Sequence, residues 1–385
     1  MEPENFMTRP AVSRKLTPGG LRQRGFGLLV DTREALDTVI VGGGIIGAAL
    51  FHELADRGAR VCLIEQDRVG LGTTAWSGGI VRCYHDDPVL VERAIQGLTF
   101  FRSFAEQTGT RAEFIETGFL YIPHPSRHEQ ARSLTDRIAQ SFPAQLLSSS
   151  DLDRKFGHLL SGPAEYAVWE PHAGYLDATQ VTRALVRSAV RKGGRLLEGV
   201  RVDGLNRVEG RVRGVRGSTG VIAADAVVLA VGAHTPRLLD SWGISHDVWA
   251  QAIQVELRGV DSPPTDHPAY MDDVCSINGR PDPDSAGMLL GHPTGHRIDG
   301  AIERTAIDPD QSELAVTAGR RRFSWVEGSV SLGGFRAAEC YAPEGRGRVA
   351  WVPEEAGLML ATGFNGGGFK LAPWAAGQAA RLLAG

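Results

Sequence analysis

The most constraining feature of this sequence is a glycine-rich turn near the N-terminus, flanked by two apolar runs. Residues 39–41 are β-branched and apolar, as a buried parallel strand requires. Gly42, Gly44 and Gly47 follow, then helix-forming residues and a second apolar run that closes at Glu65. The order of strand, glycine turn, helix, strand and acid is typical of a βαβ unit.

Each part of this unit has a chemical use. The first glycine permits a tight turn, the second lets the backbone approach a pyrophosphate, and the third lets the helix pack close to the strand. The helix N-terminus presents free N–H groups and a partial positive charge. Glu65 stands 18 positions after Gly47, where a carboxylate can accept hydrogen bonds from an adenosine ribose. An ordinary βαβ unit would explain the turn but neither Glu65 nor the triple glycine, so we predict a dinucleotide site.

Composition narrows the class of protein. A chain of 385 residues predicts about two to three domains, and a formal net charge of −4 gives no basic balance for nucleic acid or an anionic membrane. The four cysteines form no C-x-x-C pair, which argues against a disulfide framework and a metal site and fits a reducing, cytoplasmic setting. No apolar run reaches membrane-spanning length. Residues 1–36 carry many prolines, glycines and basic residues, and we expect a flexible extension there; a tail that contacts a partner protein is the alternative.

The rest of the chain indicates two kinds of domain. Strand-like runs at 195–202, 211–216, 220–231 and 357–362 return the chain to the dinucleotide unit, and a glycine loop at 363–370 precedes a last helix at 372–383. Between them, alternating runs broken by prolines predict a mixed or antiparallel sheet. We therefore predict an α/β fold with an α+β second domain. Its parts are a Rossmann-type dinucleotide-binding domain (37–115, 175–240 and 341–385) and a discontinuous substrate domain (116–174 and 241–340), after the extension at 1–36.

Four separated motifs together resemble a known family. The glycine turn with Glu65 is joined by Gly174-Tyr175-Leu176-Asp177, by residues 230–235 and by the terminal loop at 363–370. In this combination and spacing the chain resembles the D-amino-acid-oxidase superfamily, and within it the sarcosine-oxidase-like branch of amine and amino-acid oxidases. The resemblance covers residues 37–385. It implies that the bound dinucleotide is FAD rather than NAD.

The resemblance also implies which residues hold the cofactor. The three fingerprint glycines would hold the pyrophosphate, Glu65 the ribose, Val202 the adenine through its backbone, and Gly232 would lie near the ribityl chain. The glycines and helix end of the terminal loop would lie at the pyrimidine edge of the flavin, where N–H groups stabilise negative charge. The full expected set is Gly42, Gly44, Ile45, Ile46, Gly47, Glu65, Gln66, Thr73, Thr74, Ser77, Val202, Gly232, Cys340, Gly366, Gly367, Phe369 and Lys370.

One cysteine has a special position in this resemblance. The segment that ends at Cys340 resembles the one whose cysteine is bonded through sulfur to the flavin methyl group at C8. A thiolate is a suitable nucleophile at that edge of the ring. The alternative is a buried structural cysteine, which is how most free cysteines behave. We therefore expect FAD with a thioether link through Cys340 as one of two outcomes.

Four residues are implied at the substrate. Lys370 matches a lysine that binds the substrate carboxylate, and Arg82 matches an arginine beside the flavin and substrate. His292 matches a histidine that faces the substrate, with a plain loop histidine as the alternative. Arg280 could bind a carboxylate bidentately or be a solvated loop arginine.

Two positions depart from the sarcosine-oxidase pattern. A lysine that promotes reaction with oxygen is replaced by Met288, and an arginine three residues before Arg82 is replaced by Gly79. These departures argue against fast oxygen use and against sarcosine itself as the substrate.

The resemblance implies oxidation of the C–N bond of an amino acid, or of a secondary or cyclic amine that carries a carboxylate. Hydride would pass to flavin N5 and leave an imine, with O2 as electron acceptor giving hydrogen peroxide. A cationic pocket would lower the pKa of the substrate amine, and no general base is expected beyond it. The alternatives are a flavin dehydrogenase subunit that passes electrons to a partner protein and a non-catalytic flavin-binding protein. We accordingly expect a monomer or a partner-dependent complex, without nucleic acid, membrane or metal.

Overall fold

The strands and helices of the computed structural model lie within residues 36–260, 266–299 and 306–385, which are the residues that it describes. The strands are β1 (Leu36–Val41), β2 (Val61–Glu65), β3 (Ile80–Val81), β4 (Phe119–Ile122), β5 (Gln145–Ser148), β6 (Tyr166–Glu170), β7 (Gly174–Tyr175), β8 (Arg195–Glu198), β9 (Val202–Val208), β10 (Arg211–Gly217), β11 (Gly220–Leu229), β12 (Trp249–Gly259), β13 (Ala269–Asp272), β14 (Ile277–Asp282), β15 (Gly287–Gly291), β16 (Arg297–Ile298), β17 (Val330–Tyr341), β18 (Arg348–Trp351) and β19 (Leu358–Thr362). The helices are α1 (Ile45–Asp56), α2 (Pro88–Arg102), α3 (Phe104–Thr108), α4 (His128–Ala139), α5 (Ser149–Phe156), α6 (Ala178–Arg191), α7 (Thr235–Ser241), α8 (Pro309–Arg320) and α9 (Gly368–Ala384). The extension predicted at 1–36 lies outside the described residues, except for Leu36, which begins β1.

The first sheet is built around the strand that precedes the glycine turn. In it β8, β2, β1, β11 and β19 are parallel neighbours, and β18 adds an antiparallel edge. The apolar residues of β1 are almost fully buried, because neighbouring strands and both faces of the sheet cover them. Helices α1, α6 and α9 contribute to the core on one face, and the β9–β10 hairpin and α7 contribute to the core on the other.

The second sheet has a different construction. Its strands follow the order β16-β12-β15-β14-β13-β4-β6-β5, with β17 paired along the other edge of β12. The β13–β4 pair is parallel and the other pairs are antiparallel, so the predicted mixed sheet is present. Its strands come from residues 119–170 and 249–341, which largely coincide with the ranges in which we expect the substrate domain. The domain boundaries themselves stay a prediction.

The start of the last helix differs from our expectation. The sequence indicates residues 372–383, but α9 begins at Gly368 and carries Pro373 in its interior. Proline is unfavourable inside a helix and favoured in its first turn, which is why the pattern predicts a later start. The earlier start places Phe369 and Lys370 on the first turn of α9, so their positions are set by helix packing rather than by a loop.

Within the described part of the chain no helix is long and apolar enough to cross a bilayer. Nor do its histidines, cysteines and acids form a group of three or more that could hold a metal ion. The predicted α/β fold with a mixed second sheet is confirmed.

Candidate active site

The glycine turn forms because three backbone segments meet there without side chains. Gly42 has φ +108°, and a Cβ on it would lie 2.4 Å from the Ala230 carbonyl oxygen at the end of β11. A Cβ on Gly47 would lie 1.9 Å from the Gly42 carbonyl oxygen, so α1 can approach β1 only with glycine there. The N-terminus of α1, capped by Gly44, therefore opens directly over the carboxyl ends of β1 and β11.

Two side chains fix the shape of this turn. Glu65 accepts hydrogen bonds from the Gly43 N–H (2.7 Å) and the Asp67 N–H (2.9 Å). Thr74 Oγ1 accepts a hydrogen bond from the Ile45 N–H at 3.0 Å and so caps α1 from the following loop. The carboxylate of Glu65 is thereby held beside the turn, where the predicted ribose contact requires it.

A cavity of about 810 Å³ extends from this turn to the N-terminus of α9. Its lining comes from both ends of the chain and from β17. Eleven of the expected cofactor residues line it: Gly42, Gly44, Ile45, Ile46, Glu65, Gln66, Thr73, Val202, Gly232, Cys340 and Gly366. The elongated arrangement fits a dinucleotide, because a glycine cradle and an acid lie at one end and a second glycine turn lies at the other.

The other expected cofactor residues do not line this cavity. Gly47 and Thr74 shape the turn, and Ser77 Oγ accepts a hydrogen bond from the Gly79 N–H at 3.1 Å. The Phe369 ring stacks on Phe101 of α2, with centroids 4.9 Å apart, so it belongs to the core between the two helices. Its backbone N–H lies in the first turn of α9, where N–H groups have no partner within the helix.

Gly367 and Lys370 lie beside the cavity rather than in its lining. A Cβ on Gly367 would lie 3.6 Å from Lys370 Nζ, so the lysine head folds back over the turn at the start of α9. These residues are thus placed at the end of the cavity that the substrate would occupy.

Cys340 lies at the end of β17 and lines the cavity while being almost fully buried. Burial raises the pKa of the Cys340 thiol, and contacts with Thr362 and Thr235 partly oppose that shift. The thiol is therefore placed to reach a bound ligand, although burial alone does not favour its thiolate form. The thioether stays a prediction.

Three basic side chains come together beyond the cavity. Arg82 is 4% exposed and Lys370 is 8% exposed, and each lowers the pKa of the neighbouring His85 imidazole, which burial lowers further. Among the described residues, Arg82 Nη1 and His85 Nε2 are buried without a hydrogen-bond partner. Within the same residues Lys370 Nζ has no hydrogen bond or ion pair. A pocket with three buried nitrogen groups that lack protein partners can bind an anion.

The pKa values in this pocket follow from its burial. Burial, together with the charge of Arg82, lowers the pKa of Lys370 to about 7. His85 is neutral at physiological pH for the same reasons. An anionic ligand would reverse the effect on Lys370, because it favours the charged ammonium.

Arg82 is held in place by its surroundings. Its guanidinium lies over the rings of Phe119 (4.9 Å) and Tyr121 (5.4 Å), and Nη2 lies 3.6 Å from Met271 Sδ. The buried carboxylate of Glu170 accepts hydrogen bonds from the N–H groups of Cys83 and Tyr84, the two residues that follow Arg82. Glu170 therefore positions the segment that carries both Arg82 and His85.

Arg280 and His292 are not part of this pocket. Arg280 lies 4.0 Å above the Tyr175 ring and donates to the carbonyl oxygens of Gly78 (2.8 Å) and Pro281 (2.7 Å), so it ties the second sheet to the loop before β3. His292 follows β15, and its Nδ1 lies 3.0 Å from the Pro293 carbonyl oxygen. Neither residue lines the cavity, and their predicted substrate contacts find no support in the geometry.

Met288 also lies away from the site. It is fully buried with Tyr270 and Phe323 in a separate core, so a side chain at this position does not face the cavity. Side chains alternate along a strand, so the residue of β15 that faces the other way is Leu289, which pairs with Arg280. Neither Met288 nor Leu289 carries a positive charge.

The sheet face toward the site is largely apolar. Directly paired residues share a face, and the row through Met271 and Asn278 continues to Val255 and Phe335. Phe335 packs against Trp76 with centroids 5.3 Å apart. A ligand held by the basic pocket would therefore lie against apolar side chains.

Sequence reasoning missed His85, Glu170 and Glu339. His85 stands three residues after Arg82, and Glu339 is a lone acid in the apolar strand segment before Cys340. An acid at an alternating strand position was the available signal for Glu339. Glu170 gave no signal, because its role depends on a contact across the sheet.

Comparison with known proteins agrees with this geometry. The model of the DAO family, described as FAD dependent oxidoreductase, matches residues 37–382. A monomeric sarcosine oxidase of Streptomyces avermitilis is 26% identical over 88% of this chain and 90% of its own length. A 4-methylaminobutanoate oxidase (formaldehyde-forming) of Paenarthrobacter nicotinovorans is 24% identical, and the aligned region spans 87% of this chain but 42% of that longer relative.

A solved structure of L-proline dehydrogenase from P. horikoshii has the same fold. It superposes with a TM-score of 0.81 at 22% sequence identity, covering 91% of this chain and 93% of the other.

Proposed function

The chain belongs to the DAO family of FAD-dependent oxidoreductases, and from this premise we propose that it oxidises the C–N bond of a carboxylate-bearing amino acid or secondary or cyclic amine. Enzymes of this family act on amines and amino acids, and FAD is the cofactor. The observation that supports the substrate class is the buried pocket of Arg82, His85 and Lys370 at the far end of the cofactor cavity.

The residues of the cavity fit FAD. Glycines at positions 42, 44 and 47 leave room for a pyrophosphate, and the carboxylate of Glu65 lies where a ribose would bind. The N–H groups of the first turn of α9 point toward the other end of the cavity, where the flavin ring would lie. When bound, FAD supplies the two-electron acceptor for hydride from the substrate α-carbon.

The basic pocket would bind and orient the substrate. Arg82 and Lys370 can each donate to a carboxylate, and the apolar sheet face beside them keeps water away from the α-carbon. Their charges also favour loss of the ammonium proton, because the neutral amine is the form that releases hydride. The chain thus supplies binding, orientation and electrostatics.

The test is anaerobic reduction of the bound flavin by matched compounds. N-alkylated, cyclic and primary amino acids are each compared with the corresponding amine that lacks the carboxylate. We expect at least one amino acid to bleach the flavin and its decarboxylated partner to do so much more weakly. If none of the compounds bleaches the flavin, a non-catalytic flavin-binding protein becomes the better account.

The carboxylate role of Lys370 has its own test. Lys370→Met should raise the half-saturating substrate concentration about tenfold or more, because it removes the buried cation that would pair with the substrate carboxylate. Lys192→Met, at a part-exposed lysine paired with Asp56, is the control. Equal effects of the two substitutions would contradict the assignment.

The electron acceptor is a second question. We propose O2 as the acceptor, while the absence of a cationic side chain at both Met288 and Leu289 favours a dehydrogenase that passes electrons to a partner protein. Substrate-reduced protein is mixed with air and the return of flavin colour is timed. Reoxidation as fast as turnover supports the oxidase, and much slower reoxidation supports the dehydrogenase.

A further inference from the structure

Glu339 is an acid that the sequence does not assign to the reaction. It lies on β17, where it pairs with Gln251 of β12, and it shares a sheet face with Ala337 and Phe335. This is the face that looks toward the site. Glu339 lines the cavity next to Gly366, whose Cβ position would lie 3.3 Å from Glu339 Oε2.

The Glu339 carboxylate has no partner among the described residues. It accepts no hydrogen bond there and forms no ion pair within 4 Å, although Lys370 lies close enough for their charges to interact. The two head groups lie at neighbouring glycines, Glu339 at Gly366 and Lys370 at Gly367. An acid and a base therefore flank one turn at the α9 end of the cavity, without forming an ion pair.

The other acids of the cavity lie elsewhere. Among the described residues that line it, Glu65 and Asp67 belong to the end of β2 and the turn after it. Glu339 is thus the acid at the α9 end, beside the pocket that we assign to the substrate carboxylate. A zwitterionic substrate held there by Arg82 and Lys370 carries an ammonium group within the same small space.

The electrostatic setting of Glu339 involves few groups. Burial raises the pKa of Glu339 to about 7, and the charge of Lys370 on α9 partly opposes the rise. Burial and the Glu339 charge raise the pKa of Tyr341 on the same strand, and the charges of Arg82, Glu339 and Glu170 all act on Lys370. A carboxyl that titrates near neutral pH can both take up and release a proton under working conditions.

We propose that Glu339 accepts the proton of the substrate ammonium group before hydride leaves the α-carbon. The N–H bond of the ammonium breaks, its electron pair stays on nitrogen, and the proton forms an O–H bond on the Glu339 carboxylate. Arg82 and Lys370 assist by lowering the pKa of the amine. The inference rests on the proposed function and replaces our expectation that no general base is present.

The test uses the FAD-loaded protein and the variant Glu339→Gln. For the wild-type protein, flavin reduction at saturating substrate, whose carboxylate keeps Lys370 charged, should rise with pH through about 7, as Glu339 ionises. In the variant the proton must leave to solvent, so the rise should move toward the pKa of the free amine, about 10 by analogy with a lysine side chain. At neutral pH the rate should fall at least about tenfold and recover at high pH.

Two controls separate proton transfer from a structural role. Glu129→Gln, at a highly exposed glutamate on α4, should leave the pH profile unchanged. A substrate analogue that has the carboxylate but no amine should bind the Glu339→Gln variant as tightly as the wild-type protein or more tightly. An unchanged pH profile in Glu339→Gln, or weakened analogue binding with the same profile, would overturn the proposal.

The proposed function can fail separately. If no amino acid reduces the flavin of the wild-type protein, both proposals fall together. If the wild-type protein is reduced and Glu339→Gln follows the same pH profile, only the role of Glu339 is lost.

Discussion

At the scale of single residues, the site is defined by polar groups that are buried without protein partners. Arg82 and Lys370 are deeply buried, and the cost of keeping such charges out of water is recovered only when an anion pairs with them. Glu339 has the opposite charge and the same lack of a partner among the described residues. Arg82 and Lys370 are thus complementary to the carboxylate of an amino-acid zwitterion, and Glu339 is complementary to its ammonium group.

A thioether at Cys340 would join the protein to the flavin through a single covalent bond. If Cys340 is bonded to the flavin, acid precipitation should leave the yellow colour in the protein pellet, because a covalent link survives unfolding. Cys340→Ser should release the colour into the supernatant, and Cys275→Ala, at another buried cysteine, should not. Release of the colour from the wild-type protein would contradict the thioether and leave Cys340 as a core residue.

Individual residues also show where sequence reasoning stops. The fingerprint glycines and Glu65 could be placed from the sequence because their spacing along one βαβ unit is fixed by local geometry. Met288 lies in a separate core rather than at the site, and in a strand a shift of one residue would turn a side chain to the other face. The contacts of Arg280 with Gly78 and Tyr175 could not be predicted, since they join segments far apart in sequence.

At the scale of elements, the crossing of α2 and α9 sets the position of the substrate lysine. A Cβ on Gly97 of α2 would lie 1.9 Å from the Lys370 carbonyl oxygen. The two helices therefore touch backbone to backbone at the residue whose side chain enters the pocket. The stacked rings of Phe101 and Phe369 continue the same contact.

The crossing yields a prediction. Gly97→Ala should push the first turn of α9 away, lower the free energy of unfolding by about 1–3 kcal/mol and weaken substrate-driven flavin reduction. Gly377→Ala, in α9, where a Cβ would make only an ordinary contact of 3.6 Å with Arg381 Nη1, should be neutral or stabilise the protein by about 0.5–1 kcal/mol. Denaturant unfolding and anaerobic reduction of both variants measure the effects. A Gly97→Ala protein as active and as stable as Gly377→Ala would contradict this account of the crossing.

The presence of strands and helices was predicted more accurately than the residues at which they begin and end. The strands at 220–231 and 357–362 were visible because buried apolar runs are local signals, and the structure has them within one or two residues. The start of α9 was not visible, because its first turn is fixed by packing against α2 rather than by its own sequence.

At the scale of the whole molecule, stability depends on a buried histidine far from the cofactor cavity. His267 lies among Tyr270, Phe323 and Trp325, where its Nδ1 lies 2.7 Å from the Pro268 carbonyl oxygen and its Nε2 accepts a hydrogen bond from Trp325 Nε1 at 3.1 Å. Burial lowers the pKa of His267 from 6.5 to about 4. The imidazole is therefore neutral in the folded protein.

The consequence is a loss of stability in mild acid. The unfolded chain takes up a proton on His267 near pH 6.5 and the folded protein only near pH 4, so the contribution is complete above pH 6.5 and falls between those values. The difference corresponds to about 3 kcal/mol. His267→Gln, which keeps an acceptor for Trp325, should flatten the curve of unfolding free energy against pH in this range. His128→Gln, at an exposed histidine, should not. A curve for His267→Gln as steep as that of the wild-type protein would contradict the assignment.

The fold class was predictable from the sequence, but the contacts between segments far apart in the chain were not. The α/β class, the second mixed sheet and the cofactor followed from motifs with local spacing. The complete pocket did not, because His85, Glu170 and Glu339 come from a loop and two strands that meet only after both sheets have formed. Long-range juxtaposition of this kind leaves no periodic trace in the sequence.

The central claim is that the α-carbon next to nitrogen loses hydride to the flavin. Its most direct test is anaerobic reduction by the best amino-acid substrate carrying deuterium at the α-carbon, compared with the same compound carrying deuterium one carbon further away. We expect the α-deuterated compound to reduce the flavin several-fold more slowly than the unlabelled one, and the other compound to match the unlabelled rate. Equal rates for all three compounds at rate-limiting reduction would contradict the claim.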